Sequence, residues 1–251
     1  MRSGVHAPAL PMNLAQFNKE HLLAEGAILL LDKPLGWTSY DLVAKVRILF
    51  RKYYDIPKIK VGHAGTLDPL ATGLMLLCVG KMTKEAMRLT GEDKEYEARI
   101  TLGATTPSYD METEVDATFP TEHITDSLLQ EAIASLRGTI LQQPPIFSAK
   151  RIDGKRAYTL ARKGVEDDLP PVEVTIHQFN LLERWGNELR THIACSKGTY
   201  IRALARDLGR ALQSGAYLTA LRRTRSGIYC IDDAVTIETF EKFLSMAGDK
   251  E

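Results

Sequence analysis

The 251-residue sequence has only three cysteines, Cys78, Cys195 and Cys230, and no two of them are close in sequence. Zinc and dithiol redox sites usually need closely spaced pairs such as Cys-x-x-Cys, so we expect neither a metal site nor a disulfide. No apolar run is long enough to form a transmembrane helix, and the first residues lack the charged-then-apolar order of a signal peptide. The sequence therefore predicts a cytoplasmic protein with no membrane partner.

The loops that usually bind nucleotides are also missing. The glycine-rich stretch at 62–73 has neither the Lys-Ser/Thr ending of a P-loop nor the Gly-x-Gly-x-x-Gly spacing of a dinucleotide site. We therefore expect no nucleoside triphosphate at this loop.

What the stretch at 62–73 does contain is one carboxylate, Asp68, and one histidine, His63. Pro69 fixes its own φ and biases Asp68 away from the helical region, and an apolar run follows at 74–79. These residues favour a rigid loop that presents a single acid. Two interpretations stay open: Asp68 is a turn residue that bonds nearby amides, or it is a reactive carboxylate. A lone histidine such as His63 is more often a hydrogen-bonded scaffold residue than a catalyst.

The formal net charge of zero conceals an uneven distribution. Between Ile100 and Leu136 there are seven acids and no lysine or arginine, so 25 of the 32 acids and all 32 bases lie elsewhere. Basic clusters occur at 150–163, at 222–225 and, with two tyrosines interleaved, at 51–60. Any one cluster is compatible with a solvated surface. Together they favour a partner that is a polyanion, because such clusters suit contact with phosphates.

Periodicity predicts a mixture of strands and helices. Strands are predicted at 27–31, 74–79, 95–102, 172–182 and 188–195, and helices at 39–53, 83–89, 126–136, from 198 and at 237–246. In the strand at 95–102, Tyr96 lies on the inward face, where a core aromatic is the common role. In the helix after Gly198, Arg202, Arg206 and Arg210 share a face. They form either a solvated stripe or a route that brings one guanidinium to a buried acid.

Six motifs, in order along the chain, resemble the TruB family of tRNA pseudouridine-55 synthases. They are LLLDKPLG at 29–36, GHAGTLDPLATG at 62–73, KEY at 94–96, QPPIFSAK at 143–150, CSKGTYIR at 195–202 and LRR at 221–223. The resemblance implies an α+β fold with a long, mostly antiparallel central sheet flanked by helices, and an inserted RNA-binding subdomain. The activity that it implies is isomerisation of uridine 55 in the T loop of tRNA, without any cofactor or metal.

The resemblance also implies roles for individual residues. Asp68 matches the catalytic aspartate, Tyr96 the tyrosine that stacks on the uracil, and Arg202 the arginine that pairs with the aspartate. His63 matches a histidine that helps to hold the flipped-out conformation, Tyr200 and Leu221 match residues that line the pocket, and Lys33 is grouped with them as substrate-binding. The candidates for contact with the RNA backbone are Lys150, Arg151, Lys155, Arg156, Arg222 and Arg223.

The mixed composition of the first residues predicts a loosely ordered N-terminal extension at 1–25. The resemblance implies a catalytic domain at 26–251 with an insertion at about 104–170. Longer members carry a C-terminal PUA-type domain, and we expect none in this chain. The family leads us to expect a monomer. Two other functions remain open: a tRNA-binding folding chaperone, and a hydrolase that uses Asp68 with His63. The second lacks another acid at a credible position.

Overall fold

The computed structural model describes residues 18–145, 151–152, 155–156 and 170–248, and at 151–152 and 155–156 it describes the backbone only. These residues form two units. The first unit comprises the described residues up to Glu92 and those from Arg223 onwards, and the second comprises Asp93–Arg222.

Two apolar strands make the centre of the first unit. β1 (Ala27–Lys33) and β3 (Ala71–Val79) pair in antiparallel, with Ala27 opposite Val79 and Lys33 opposite Gly73. Both strands are almost entirely buried, which explains their continuous apolar runs. β2 (Val61–His63) pairs with the end of β3 in antiparallel, and β14 (Val235–Thr236) lies beside β1 in parallel. The predicted strands are confirmed, and each is longer than predicted because polar or glycine residues continue the pairing.

Helices cover this strand pair. In the helix Ser39–Tyr54, the Thr38 side chain accepts from the Asp41 amide and the Asp41 carboxylate accepts from the Thr38 amide, so Thr38 is the N-cap. Phe50 of this helix packs edge-on against Phe240, with ring centroids 5.9 Å apart. Phe240 belongs to the helix Ile237–Gly248, which the periodicity predicted.

Two further helical segments of the first unit differ from the predictions. The helix Lys19–Ala24, capped by Asn18, falls in the segment for which a loose extension was predicted, and its Leu22 is buried. The helix predicted at 83–89 is a 3₁₀ helix, Gly80–Glu85, followed by the α-helix Ala86–Thr90. The 3₁₀ helix begins at Gly80, whose carbonyl accepts from the side-chain hydroxyl of Thr83 at 2.8 Å.

The second unit contains an antiparallel sheet in the order β4 (Lys94–Leu102), β11 (Glu188–Cys195), β10 (Val172–Trp185), β7 (Gly138–Gln142). β10 and β11 form the predicted hairpin, and Gly186 in its turn has φ 56°. β4 alternates buried and less buried residues, as its pattern predicted.

Shorter elements complete the second unit. They are β5 (Ala104–Thr105), which pairs with β6 (Ala117–Thr118), β8 (Arg151–Ile152), which pairs with β9 (Lys155–Arg156), and the helices Asp126–Ser135 and Ile201–Ala211. β12 (Ala216–Ser226) begins in the second unit and ends in the first, where it pairs with β13 (Tyr229–Cys230). The α+β class and the mostly antiparallel pairing are thereby confirmed.

No helix in the described ranges has both the length and the apolar character that crossing a membrane requires.

Candidate functional site

Asp68 lies in a short loop between β2 and β3. The loop leaves the sheet at Ala64, whose amide donates to the carbonyl of Leu76, and returns at Ala71, whose amide donates to the carbonyl of Asp68 at 3.0 Å. Leu67, directly before the acid, is buried, while Asp68 itself is partly exposed. The loop therefore anchors its apolar residue Leu67, and Asp68 itself is only partly buried.

Ser39 fixes the residue that precedes Asp68. Its hydroxyl donates to the carbonyl of Leu67 at 3.0 Å and accepts from the amide of Leu67 at 2.9 Å. Ser39 is buried in the first turn of its helix, where the backbone is held by the Thr38 cap. Because one hydroxyl satisfies both backbone groups of Leu67, the loop cannot rotate at this residue without losing two buried hydrogen bonds.

Lys33 and Gly36 fix the residue that follows Asp68. The carbonyl of Pro69 accepts from the amide of Gly36 at 2.9 Å and from Nζ of Lys33 at 3.4 Å. Nζ of Lys33 also donates to the carbonyls of Trp37 and Pro34. The Lys33 side chain is fully buried, and burial lowers its pKa to about 8, against the opposing attraction of Asp68. Lys33 is thus part of the support of the loop, and its contact with a substrate stays a prediction.

Arg223, which was predicted to contact the RNA backbone, is buried. Its side chain is 1% exposed, its Nε donates to the carbonyl of Leu74 at 2.7 Å, and its Nη2 donates to the carbonyl of Gly65 at 3.2 Å. A buried guanidinium with these bonds presents no surface to a phosphate. The structure therefore contradicts the predicted contact of Arg223 with the RNA backbone. The basic cluster at 222–225 suggested an exposed group, and nothing in the charge pattern distinguished Arg223 from its neighbours.

His63 is the last residue of β2 and is half-buried. Its Nδ1 is buried and has no hydrogen-bond partner among the described residues. Burial, and secondly the positive charge of Arg223, lower the pKa of His63 below its ordinary value. The His63 ring is therefore uncharged at neutral pH.

Three residues predicted to contact the base lie in the second unit: Tyr96, Tyr200 and Leu221. Tyr96 is on β4 opposite Ile193, 8% exposed, on the inward face as its alternation predicted. Tyr200 is held by Gln142, whose side-chain oxygen accepts from the Tyr200 amide at 2.8 Å and whose side-chain nitrogen donates to the Tyr200 carbonyl at 3.2 Å. Leu221 is half-buried on β12.

Arg202 is buried in the helix Ile201–Ala211 and meets a buried acid. Its Nη1 donates to the carbonyl of Ser108 at 3.0 Å, and its Nε lies 3.6 Å from Oδ2 of Asp110. Arg202 and Asp110 are 4% and 5% exposed. Of the two interpretations of the arginine stripe, the solvated one is wrong for Arg202 and for Arg206, which is also buried, whereas Arg210 is exposed.

Asp110 is the residue that sequence reasoning missed. It was counted with the acidic surface segment, yet its backbone carbonyl accepts from the hydroxyls of Thr106 and Ser108, and its carboxylate accepts from the amide of Glu112. The preceding residue, Tyr109, has φ 61°. The small hydroxyl residues before Asp110 were the available signal that this part of the segment is folded inwards.

The remaining candidates for RNA contact stay predictions. Lys150 lies outside the described residues, and for Arg151, Lys155 and Arg156 only the backbone is described: β8 and β9 pair with Arg151 opposite Arg156. Arg222 is half-buried. In the ranges that the structure describes, no group of three or more His, Cys, Asp or Glu residues could hold a metal ion.

Two family models match adjoining parts of this chain. The family model described as "TruB family pseudouridylate synthase (N terminal domain)" matches residues 51–201. The model described as "tRNA pseudouridylate synthase B C-terminal domain" matches residues 202–251.

Relatives with curated names agree with the family models. The chain is 53% identical to the tRNA pseudouridine synthase B of Phocaeicola vulgatus over 227 residues, which cover 90% of this chain and 97% of that protein. It is 50% identical to the protein of the same name from Flavobacterium johnsoniae, covering 88% and 96%. Among solved structures, a chain of a Cbf5–Nop10–Gar1 complex matches with a TM-score of 0.68 and 25% identity, covering 94% of this chain and 59% of that one.

Proposed function

Because the chain belongs to the TruB family of pseudouridylate synthases, we propose that it converts uridine 55 in the T loop of tRNA to pseudouridine, with Asp68 as the catalytic carboxylate. The observation that carries the assignment of Asp68 is its loop. The residues on both sides of Asp68 are fixed by hydrogen bonds from Ser39 and Lys33, while the acid itself stays partly exposed.

The reaction is an isomerisation. The bond between N1 of uracil and C1′ of ribose breaks, the detached uracil turns, a bond forms between C5 and C1′, and the proton on C5 is transferred to the released nitrogen. Atoms and electrons balance without an oxidant, a reductant or water. A carboxylate can serve either as nucleophile or as base in such a sequence.

Access to the sugar requires that the uridine leave its stack. A pocket that accepts the base then needs an aromatic face and apolar walls. We assign these roles to Tyr96 as the stacking residue and to Tyr200 and Leu221 as pocket residues. The almost complete burial of Tyr96 and the two hydrogen bonds of Gln142 to the Tyr200 backbone support the assignment, since they fix the Tyr96 side chain and the main chain at Tyr200.

The neutral ring of His63 suits a residue that supports a flipped nucleotide. Burial and the charge of Arg223 keep the ring neutral, so it adds no positive charge to the loop that carries Asp68. Arg202 is proposed to pair with Asp68 and keep it ionised. A guanidinium has five N–H donors, so the bonds to Ser108 and Asp110 are compatible with that further pair.

The partner is tRNA, and the recognised part is the T stem-loop. The basic residues Arg151, Lys155, Arg156 and Arg222, together with Lys150, are proposed to bind its phosphates. We further propose that the protein acts as a monomer in the cytoplasm and needs no cofactor.

The deciding experiment is to incubate the protein with unmodified tRNA and to map pseudouridine by chemical sequencing. We expect product at position 55 with the wild-type chain and none with Asp68→Asn, which still binds tRNA. Binding without any product would favour a folding chaperone, and released uracil would favour a hydrolase. Product from Asp68→Asn would refute the role of Asp68, and product outside the T loop would refute the specificity.

A further inference from the structure

We propose that Arg223 is a positioning residue that holds the two ends of the Asp68 loop together. Its guanidinium donates to the carbonyl of Gly65, three residues before the acid, and to that of Leu74, six residues after it. The proposal rests on the proposed function only in so far as Asp68 is the reacting group. It assigns a role to a residue that charge patterning had associated with phosphates.

The geometry needs an arginine in particular. A planar guanidinium offers several N–H groups in fixed directions, so one side chain can bond two carbonyls on different segments. The Nε branch takes Leu74 at 2.7 Å and the Nη2 branch takes Gly65 at 3.2 Å. The single ammonium of a lysine has no such fork and would hold one of the two segments less firmly.

The close approach of the backbone at Gly73 is part of the same arrangement. A Cβ placed on Gly73 would lie 2.3 Å from the carbonyl oxygen of Arg223, and Gly73 has φ +100°. Only a residue without a side chain lets β12 come this near to β3 at this point. The last glycine of the stretch at 62–73 therefore allows the Arg223 side chain to reach the loop.

Burial makes a purely stabilising role a poor explanation. Placing a guanidinium where it is 1% exposed costs solvation that hydrogen bonds must offset, and buried charges often stabilise less than apolar residues of similar size. Accurate placement of a catalytic group, by contrast, has a large effect on rate. The charge also acts on its surroundings, because Arg223 lowers the pKa of both His63 and Lys33.

The test compares Arg223→Met, Arg223→Lys and a control, Arg137→Met, which removes a guanidinium that donates to the carbonyl of Phe179 in the other unit. For each folded variant, single-turnover pseudouridine formation and tRNA affinity are measured. We expect Arg223→Met to lower the rate by about 100-fold, the cost of misplacing a reacting group by about 1 Å, with tRNA affinity unchanged. Arg223→Lys should recover only part of the rate, and Arg137→Met should retain all of it.

A spectroscopic measurement separates positioning from general loss of stability. NMR titration of the His63 ring should show its pKa rising in Arg223→Met, because the neighbouring charge is gone, and staying low in Arg223→Lys. If Arg223→Met fails to fold, Arg223→Lys decides the matter, since it keeps the charge and loses the fork.

Three outcomes would overturn the proposal: a wild-type rate in folded Arg223→Met, full activity in Arg223→Lys, or a loss of tRNA affinity that equals the loss of rate. Absence of pseudouridine with the wild-type chain would instead refute the proposed function, so the two failures are distinguishable.

Discussion

Nζ of Lys33 lies 3.4 Å from the carbonyl oxygen of Pro69, the residue directly after Asp68. The same nitrogen donates to the carbonyls of Trp37 and Pro34, so three backbone oxygens converge on it. An ammonium group has three N–H donors and a neutral amine has two. The protonation of Lys33 and the position of the Asp68 loop are therefore linked.

This link predicts a basic limit to activity. With a pKa lowered to about 8, Lys33 is charged below that pH and neutral above it. Above about pH 8 the neutral amine cannot serve all three carbonyls, and the single-turnover rate should fall as the loop loosens. In Lys33→Met we expect a lower rate that no longer changes across this range. A wild-type profile that stays flat well above pH 8 would contradict the link.

The hydroxyl of Ser39 predicts a separable effect on rate. Ser39→Ala leaves both backbone groups of Leu67 without their buried partner, so the free energy of unfolding should fall by about 1–3 kcal/mol. The rate of pseudouridine formation should fall as well, because Leu67 precedes Asp68. Denaturant unfolding and single-turnover assays measure the two effects.

Thr125→Ala is the matched control for Ser39→Ala. Thr125 caps the helix Asp126–Ser135 in the other unit, and losing a cap costs about 1 kcal/mol. We expect a comparable loss of stability with an unchanged rate. Equal rate losses in the two variants would mean that the Ser39 effect is one of stability alone.

The pKa of His63 predicts how stability changes with pH. Burial and the charge of Arg223 lower the pKa of His63 in the folded chain below its ordinary value of 6.5. As the pH falls through 6.5, the unfolded chain takes up a proton on this ring and the folded chain does not. The contribution of His63 to stability is thus fully present above pH 6.5 and is lost towards the lower, folded pKa. The unfolding free energy of wild type should decrease more steeply on acidification than that of His63→Gln, and parallel curves would show that His63 does not titrate in this way.

The loop around Asp68 shows how far the sequence alone leads. Its rigidity was predictable from Pro69 and the apolar run that follows, and both are local signals. The supports were not predictable, because Ser39 and Lys33 contact the loop from positions 28 and 36 residues away. Which of several serines and lysines makes such a contact depends on tertiary packing, which no local pattern encodes.

For the basic residues, prediction from the sequence fails in a different way. Charge patterning treats Arg222, Arg223 and Arg225 alike, whereas the structure buries Arg223 completely and leaves its neighbours partly exposed. Likewise the segment with Asp110 reads as a solvated acidic loop until Arg202 is placed beside it. Burial of a charge is a property of pairs, and the partners here are 92 residues apart in sequence, so composition and periodicity could not reveal it.

The Arg202–Asp110 pair predicts a coupling that can be measured directly. Asp110→Asn leaves the buried guanidinium without its acid, and breaking a buried pair from one side costs about 3–5 kcal/mol. Because Arg202 also donates to the carbonyl of Ser108, its side chain should keep that hydrogen bond but lose its fixed orientation. The rate of pseudouridine formation should therefore fall.

The double variant Asp110→Asn/Arg202→Met removes the uncompensated charge, so it should be more stable than the sum of the two single variants implies, by about 1–3 kcal/mol in a double-mutant cycle. A cycle that closes with no coupling would show that the two side chains, although 3.6 Å apart, contribute independently. The rate of pseudouridine formation is the second measurement. Compared with Asp110→Asn, the double variant should be more stable but no faster, since Arg202 is proposed to act on Asp68. Recovery of both together would mean that Arg202 serves only to compensate Asp110.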